Sequence, residues 1–133
     1  MLYYIYCNEM WNQLDGLTGL LSQKSYLNRT LNLQPEDKML IVLDLDNFKY
    51  INDTYGHQAG DQCLKVIAEC LKKAYSRYGN CYRIGGDEFC VLFRKPEKEK
   101  YCREKFYWII EKQKKSLHML PGASYGSALI EEQ

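Results

Sequence analysis

The sequence predicts an α/β fold of the α+β kind, in which a mostly antiparallel, ferredoxin-like sheet is covered by helices. First, strand-like apolar runs and helical periodicities follow one another in the order helix, strand, helix, hairpin, helix, strand. Second, a chain of 133 residues is long enough for one domain. Third, hydrophobic residues make up 46% of the chain, which is enough for a packed core and argues against disorder.

The first predicted helix covers residues 22–33 and ends before Pro35. Its positions at helical spacing are Tyr26, Leu27, Thr30 and Leu31. Residues 39–46, MLIVLDLD, form a continuous apolar run that ends in acids, and such a run is typical of a strand buried on both faces. Residues 1–14 precede these elements as an aromatic-rich lead-in segment, so the predicted domain occupies residues 15–133.

Residues 47–61 are rich in turn-forming side chains, and the second helix is predicted from Asp61 to about Tyr78. Its apolar face consists of Leu64, Ile67, Ala68, Leu71 and Ala74. Asp61 would lie in the first turn, where exposed backbone N–H groups favour a carboxylate.

The strands predicted at 81–84 and 89–93 form a hairpin around the sequence GGDE. After Pro96, residues 101–117 carry apolar side chains on one helical face, and residues 123–130 are typical of a last strand.

Composition excludes several classes of function. The net charge is +1, whereas a domain that binds nucleic acid through backbone phosphates is usually more basic. No apolar run is long enough to span a membrane, and residues 1–11 do not show a basic region followed by a long apolar stretch, as a signal peptide would. The six cysteines form no CxxC pair, which favours buried, reduced thiols. We therefore expect a cytoplasmic domain, and a membrane tether in a longer parent remains an open alternative.

The order of elements predicts where the acidic residues meet. A strand, a crossover helix and a second strand favour a parallel arrangement, so strands 39–46 and 81–84 should end at the same edge of the sheet. Asp44, Asp46, Asp87 and Glu88 would then converge. Repelling carboxylates of this kind attract a cation, and a small set of oxygen ligands suits Mg2+ with phosphate oxygens.

The same loop offers phosphate contacts. Gly85 and Gly86 would let a bulky ligand approach the backbone and would adopt turn angles closed to other residues. Lys49 and the backbone N–H groups after Asp46 are candidates for binding phosphate. Asp and Gly are also ordinary hairpin residues, so a plain turn is the alternative. From the residues alone, the chemistry is Mg2+-dependent phosphoryl or nucleotidyl transfer, with neither base nor product identified.

The sequence resembles the GGDEF family of diguanylate cyclases from Asp15 to about Ile130. The matching segments are DGLTGL at 15–20, DLDNFKYIND at 44–53, YGHQAGD at 55–61, GGDEF at 85–89 and ASYGSA at 123–128. The resemblance implies a nucleotidyl-cyclase palm-like sheet. It also implies that two GTP molecules are condensed into cyclic di-GMP with release of pyrophosphate, at a site completed by a homodimer and controlled by an upstream sensor domain.

The resemblance also assigns residues to roles. Asp44, Asp87 and the Leu45 carbonyl would bind Mg2+, or Mn2+ as an alternative. Catalysis would rest on Asp44, Asp87 and Glu88, with Asp87 as the catalytic acid. The residues implied to bind GTP are Phe48, Lys49, Asn52, Asp61, Gly85 and Gly86.

Three departures from the family pattern bear on activity. Ser22-Gln23 replaces the usual Asn-Arg, so an arginine near the site is lost. Ser76 and Gly79 replace the Arg and Asp of an inhibitory product site, so we expect no feedback inhibition through it. The family continues beyond the position of Gln133 into a strand and a basic helix, and we therefore expect weak or no turnover by residues 1–133. A GTP-binding module without turnover and a structural partner domain without a ligand are the alternatives.

Overall fold

The computed structural model describes residues 13–131, so nearly all of the predicted lead-in segment lies outside the described residues. The sheet has four strands in the order β2-β3-β1-β4. In chain order, the elements are α1 (Gln23–Leu31), β1 (Met39–Leu45), α2 (Phe48–Tyr55), α3 (His57–Tyr75), β2 (Gly79–Arg83), β3 (Glu88–Phe93), a 3-10 turn (Pro96–Lys98), α4 (Glu99–Gln113) and β4 (Ala123–Leu129). The predicted α+β class is confirmed.

The two strands that carry the acids end at the same edge of the sheet. β1 is antiparallel to β3, and β3 is antiparallel to β2, so β1 and β2 run in the same direction. The predicted common direction is therefore confirmed, although β3 lies between the two strands. Asp44, Asp46, Asp87 and Glu88 lie at or just beyond this end, and together they are called the carboxylate edge.

The main core lies between the sheet and the pair of helices α3 and α4. Ile41, Leu43, Phe89 and Val91 are buried on this face. The prediction that β1 is buried on both faces is wrong, because Val42 on the opposite face is 39% exposed. On that face α1 packs against β2 rather than β1. On this face Val42 and Asp44 are therefore exposed, whereas Leu40 is half-buried against a small cluster that includes Tyr82 and Leu92.

The segment predicted to be turn-rich is helical instead. α2 and α3 follow each other directly and are joined at Gly56, whose φ of 94° is a conformation that favours glycine. Because α3 begins at His57, Asp61 lies beyond its first turn, and the predicted first-turn position is wrong. Ile51 is the buried residue that anchors α2 to the core. α4 ends at Gln113, so the last four residues of the helix predicted over 101–117 are not part of it.

The cysteines within the described range are all buried and free, as predicted; Cys7 lies outside that range. Burial raises the pKa of Cys81 and of Cys90 to about 12, so these thiols stay protonated at neutral pH. Between residues 13 and 131, none of the helices has the length and apolar character needed to cross a membrane.

Candidate active site at the carboxylate edge

The carboxylates of the edge face one another, as predicted. Asp44 pairs directly with Glu88 in the register of β1 and β3, and the Leu45 N–H donates to the Asp87 carbonyl at 3.2 Å. Directly opposed residues of neighbouring strands project from the same face of a sheet. The pKa of Asp44 is raised above its usual value. Burial is the largest cause, followed by the charge of Asp87 and a hydrogen-bonding contact with its carboxyl, and then by the charges of Glu88 and Asp46.

Asp46 has a different environment from the other acids of the edge, because it is tied to β4. The Ser124 hydroxyl donates to Asp46 Oδ1 at 2.5 Å, and the Asp46 N–H donates to the Gly122 carbonyl at 3.0 Å. Asp46 therefore has hydrogen-bond partners that fix its position beside Asp44, and it contributes negative charge there.

The donor set suits a metal ion that shares its coordination with a substrate. No group of three or more His, Cys, Asp or Glu side chains within residues 13–131 is arranged to hold a metal ion by itself. Mg2+ commonly uses only one or two carboxylates together with substrate phosphates, and Asp44 with Asp87 fits that smaller set. The Leu45 N–H points toward Asp87, and in an extended antiparallel strand the carbonyl of the same residue points to the same side.

The two glycines of the signature turn differ in their surroundings. Neither adopts a positive φ, so the predicted need for special turn angles is wrong. A Cβ at Gly85 would lie 3.0 Å from Glu88 Oε2 and 3.2 Å from Glu88 Cβ, so the absence of a side chain lets Glu88 approach. A Cβ at Gly86 would meet no atom within 4 Å, and this position beside Asp87 borders open space.

An arginine that sequence reasoning missed holds this turn in place. Arg83, the last residue of β2, donates from Nη2 to the Gly86 carbonyl at 2.8 Å and from Nε to the Gly85 carbonyl at 3.2 Å. Its Nη1 also donates to Asp15 at 3.2 Å. The only signal in the sequence was that a basic residue precedes the turn, and nothing there indicated its partner 68 residues away.

Asp15 is itself enclosed by hydrogen bonds. It accepts from the Thr18 N–H at 2.8 Å and from the Thr18 hydroxyl at 2.7 Å. Burial works against ionisation of Asp15, but the hydrogen bonds from Thr18 and the nearby charge of Arg83 together lower its pKa below the usual value. Arg83 therefore links the DGLTGL segment to the signature turn by hydrogen bonds to both.

A second group of predicted residues lies on α2 and α3. The chain leaves β1 through Asn47, whose φ of 55° is left-handed, and enters α2 at Phe48. Asn47 supplies no side-chain cap, and Lys49 is exposed in the first turn. The Asn52 side chain lies against Gly60, because a Cβ at Gly60 would lie 1.9 Å from Asn52 Oδ1. Since Gly60 directly precedes Asp61, the structure places Asn52 near Asp61.

The departure at residues 22–23 has a local structural role. The Ser22 hydroxyl accepts a hydrogen bond from the Ser25 N–H at 3.1 Å and caps the start of α1. The positions of the missing inhibitory pattern, Ser76 and Gly79, lie at the end of α3 and the start of β2.

Comparisons with known proteins give one consistent result. The family model described as "Diguanylate cyclase, GGDEF domain" matches residues 12–133. Diguanylate cyclase DgcZ of Escherichia coli (strain K12) is 36% identical over 105 residues, which cover 76% of this chain and 36% of DgcZ. Diguanylate cyclase DgcS of Shewanella oneidensis is 39% identical over 90 residues, which cover 63% of this chain and 30% of DgcS. The chain thus spans about a third of the length of these relatives.

A solved structure extends the similarity to three dimensions. The GGDEF domain of DgcB from Caulobacter crescentus, in complex with c-di-GMP, has a TM-score of 0.74 and 26% sequence identity. The match covers 90% of this chain and 78% of that one. The sheet and helices described above are therefore those of the palm-like fold that the sequence predicted.

Proposed function

Because the chain belongs to the GGDEF family, we propose that it is the catalytic domain of a diguanylate cyclase, which condenses two GTP into cyclic di-GMP and releases two pyrophosphates. One observation carries this proposal: Asp44, Asp87 and Glu88 meet where β1 and β2 end. Facing carboxylates suit metal-assisted transfer at phosphorus. The relatives DgcZ and DgcS are diguanylate cyclases by name, which supports the same reaction.

Asp44 and Asp87, with the Leu45 carbonyl, are the proposed ligands of Mg2+, and Mn2+ is the alternative ion. When bound, the ion supplies positive charge that stabilises the phosphate oxygens during transfer. In its absence, burial and the neighbouring acids keep the pKa of Asp44 above its usual value. These carboxylates thus repel one another when ionised, and a bound cation would relieve that repulsion.

The start of α2 is the proposed contact for the triphosphate. The first N–H groups of a helix have no partner within the helix and attract phosphate. Asn47 does not cap them with its side chain, and Phe48 and Lys49 occupy the first turn. The space at Gly86, the residue before Asp87, is open and leaves room for the same ligand.

Asn52 and Asp61 are the proposed contacts for the guanine base. A carboxylate can accept from both guanine N1–H and the guanine amino group, and adenine does not offer this pair of donors. With adenine in the site, the Asp61 carboxylate faces a base that lacks these donors, and binding of the wrong base is weaker. Their proximity across Gly60 supports a shared contact with one base.

In the proposed reaction, the 3′-hydroxyl oxygen of one GTP attacks the α-phosphorus of the other. A new P–O bond forms, the bond from the α-phosphorus to the bridging oxygen breaks, and pyrophosphate leaves. The 3′-hydroxyl of the second GTP then attacks the α-phosphorus of the first in the same way, which closes the ring and releases the second pyrophosphate. Asp87 is the proposed catalytic acid, and Glu88 assists the attacking hydroxyl as its proton leaves. Each domain binds one GTP, so two copies must face each other, and an upstream sensor in a longer parent would control their approach.

The test is incubation with GTP and Mg2+, with cyclic di-GMP and pyrophosphate measured by chromatography. Asp87→Asn should reduce product formation by about 1,000-fold or more, because it removes charge at the reacting phosphate. Glu104→Gln is the matched control: it removes one exposed negative charge from α4, away from the carboxylate edge, and should leave product formation unchanged.

Four results would decide between the candidate functions. Product from the wild type and the control, but not from Asp87→Asn, supports the cyclase. Calorimetric binding of GTP without any product supports the GTP-binding module instead. Equal product from all three variants would remove Asp87 from catalysis, and failure to bind GTP at all would contradict both functions.

A further inference from the structure

We propose that Gly60 is a positioning residue for base recognition, which holds the Asn52 amide in place because it has no side chain. This inference rests on the proposed function, since it concerns the same nucleotide site. Gly60 is a buried residue of α3 that packs against α2. Its role is to let α2 and α3 approach closely at Asn52, next to Asp61 in the chain.

The geometry at Gly60 is unusually tight. An added Cβ would lie 1.9 Å from Asn52 Oδ1, 3.0 Å from Asn52 Cγ and 3.3 Å from Phe48 Cζ. Real Cβ atoms essentially never approach another heavy atom within 3.0 Å, so Asn52 would have to move. The atoms displaced first are those of the amide itself, and Phe48 is the next neighbour.

The contact explains why a glycine occupies a helical position. Alanine is favoured over glycine within helices by about 1 kcal/mol, so glycine is a local disadvantage here. Gly60 nevertheless forms the regular helical bond, donating its N–H to the Gly56 carbonyl at 3.2 Å. Its backbone φ is not left-handed, so conformation does not require glycine either. The close approach of Asn52 is the feature that requires glycine at this position.

Displacement of Asn52 should weaken base recognition more than phosphate binding. Loss of one hydrogen bond to the base corresponds to about a tenfold rise in the dissociation constant. We therefore expect Gly60→Ala to raise the dissociation constant for GTP about tenfold and to change that for ATP little. The preference for GTP over ATP falls by the same factor.

The experiment combines binding and stability in a double-mutant cycle. Gly60→Ala, Asn52→Ala and the double variant are compared by calorimetry with GTP and ATP, and by thermal unfolding without nucleotide. Gly126→Ala is the matched control, because a Cβ at Gly126 meets no atom within 4 Å. The control should keep the wild-type preference for GTP.

The inference predicts non-additive results. Gly60→Ala should lower the melting temperature in the presence of Asn52 and raise it when Asn52 is already alanine, because the clash is gone and helix propensity then dominates. Both single variants should lose the same preference for GTP, with no further loss in the double variant. If Gly60→Ala does not fold, recovery of folding in the double variant supports the contact, and its failure there overturns it.

Other outcomes contradict the inference or the proposed function separately. If Gly60→Ala keeps the wild-type preference for GTP, the positioning role is wrong although GTP binding stands. If Asn52→Ala keeps it as well, Asn52 is not a base contact and the inference is wrong. If the wild type binds neither nucleotide, the proposed function fails. Independently of binding, additive effects of the two substitutions on stability would show that Gly60 and Asn52 do not interact.

Discussion

The acids at two places in this domain have opposite surroundings. Asp37 receives two hydrogen bonds from Arg29, at 3.0 and 3.1 Å, and Asp15 is paired with Arg83. At the carboxylate edge, Asp44 instead faces Asp87 and Glu88. The first kind of acid is satisfied within the protein, whereas the second kind is left to repel its neighbours.

The difference separates stability from function. A paired acid stabilises the fold and needs nothing from outside, whereas a group of facing acids lowers stability until a cation binds. Perturbed carboxylates at the end of a strand are therefore candidates for chemistry. Three substitutions of acids test this comparison and a fourth tests a buried hydroxyl outside it, and each is measured as a change in the free energy of unfolding.

The largest effect is expected at Asp37, whose side chain is 2% exposed. Asp37→Asn should lower the free energy of unfolding by about 3 kcal/mol, because it removes the closer and more buried anionic partner of Arg29 and weakens the bond from the Gln34 N–H. Chemical denaturation measures this change. Glu36→Gln is the control, since Glu36 meets the same arginine at 3.5 Å but is largely exposed. Equal effects of the two substitutions would contradict the assignment of Asp37 as the structural partner.

At Asp15, the expected loss is about 1.5 kcal/mol and depends on pH. Burial opposes ionisation, but the bonds from Thr18 and Arg83 lower the pKa of Asp15 in the folded state. Its contribution is therefore present above the unfolded pKa of about 4 and is lost as pH falls through the lower folded value. The difference between wild type and Asp15→Ala should be full at pH 7 and shrink below pH 4. A difference that stays constant through this range would show that ionisation of Asp15 plays no part.

Sequence patterns predicted the acids of the edge but not the arginine that holds the turn. Asp44, Asp87 and Glu88 could be predicted to meet because strand direction follows from the order of elements. The bond between Arg83 and Asp15 could not, because a single basic residue on a strand has no periodicity to reveal a partner far away in the chain.

The helix α2 was missed for a different reason. Asn47 and Gly56 are turn residues by propensity, and they do begin and end this short helix. Burial of Ile51 in the core outweighs the turn-like composition between them, and such tertiary packing is not visible in local sequence. The exposed face of β1 was missed similarly, since the run MLIVL does not show which neighbour covers it.

The core contains one polar group that neither pairing nor function explains. Within the described residues, the Tyr75 hydroxyl is buried without a hydrogen-bond partner. Tyr75→Phe should raise the free energy of unfolding by about 1 kcal/mol, because an unsatisfied buried hydroxyl is removed and the ring contacts with Phe93 and Phe106 remain. Tyr107→Phe is the matched control and should lower it, since the Tyr107 hydroxyl donates to the Ala123 carbonyl at 2.9 Å. A loss of stability in Tyr75→Phe would indicate a partner for this hydroxyl.

The smallest change in stability, but the largest in activity, is expected at Asp44. Asp44→Asn should raise the free energy of unfolding by about 0.5 kcal/mol at pH 7 without metal, because like charges directly opposite each other destabilise a strand pair. Burial and the acids Asp87 and Glu88 raise the pKa of Asp44 in the folded state. Protonation of Asp44 therefore stabilises the folded state at pH values below the unfolded pKa of about 4. This contribution is lost as pH rises through the higher pKa of the folded state.

The gain in Asp44→Asn should therefore appear only as pH rises above about 4. Thermal unfolding across this range measures it, and addition of Mg2+ with GTP should stabilise the wild type but not the variant. Glu104→Gln again serves as the control for simple loss of negative charge. If Asp44→Asn is less stable than the wild type at pH 7, Asp44 belongs with the paired acids Asp15 and Asp37. A gain in stability together with loss of product would instead show that the Asp44 carboxylate lowers stability by repulsion but is needed for activity.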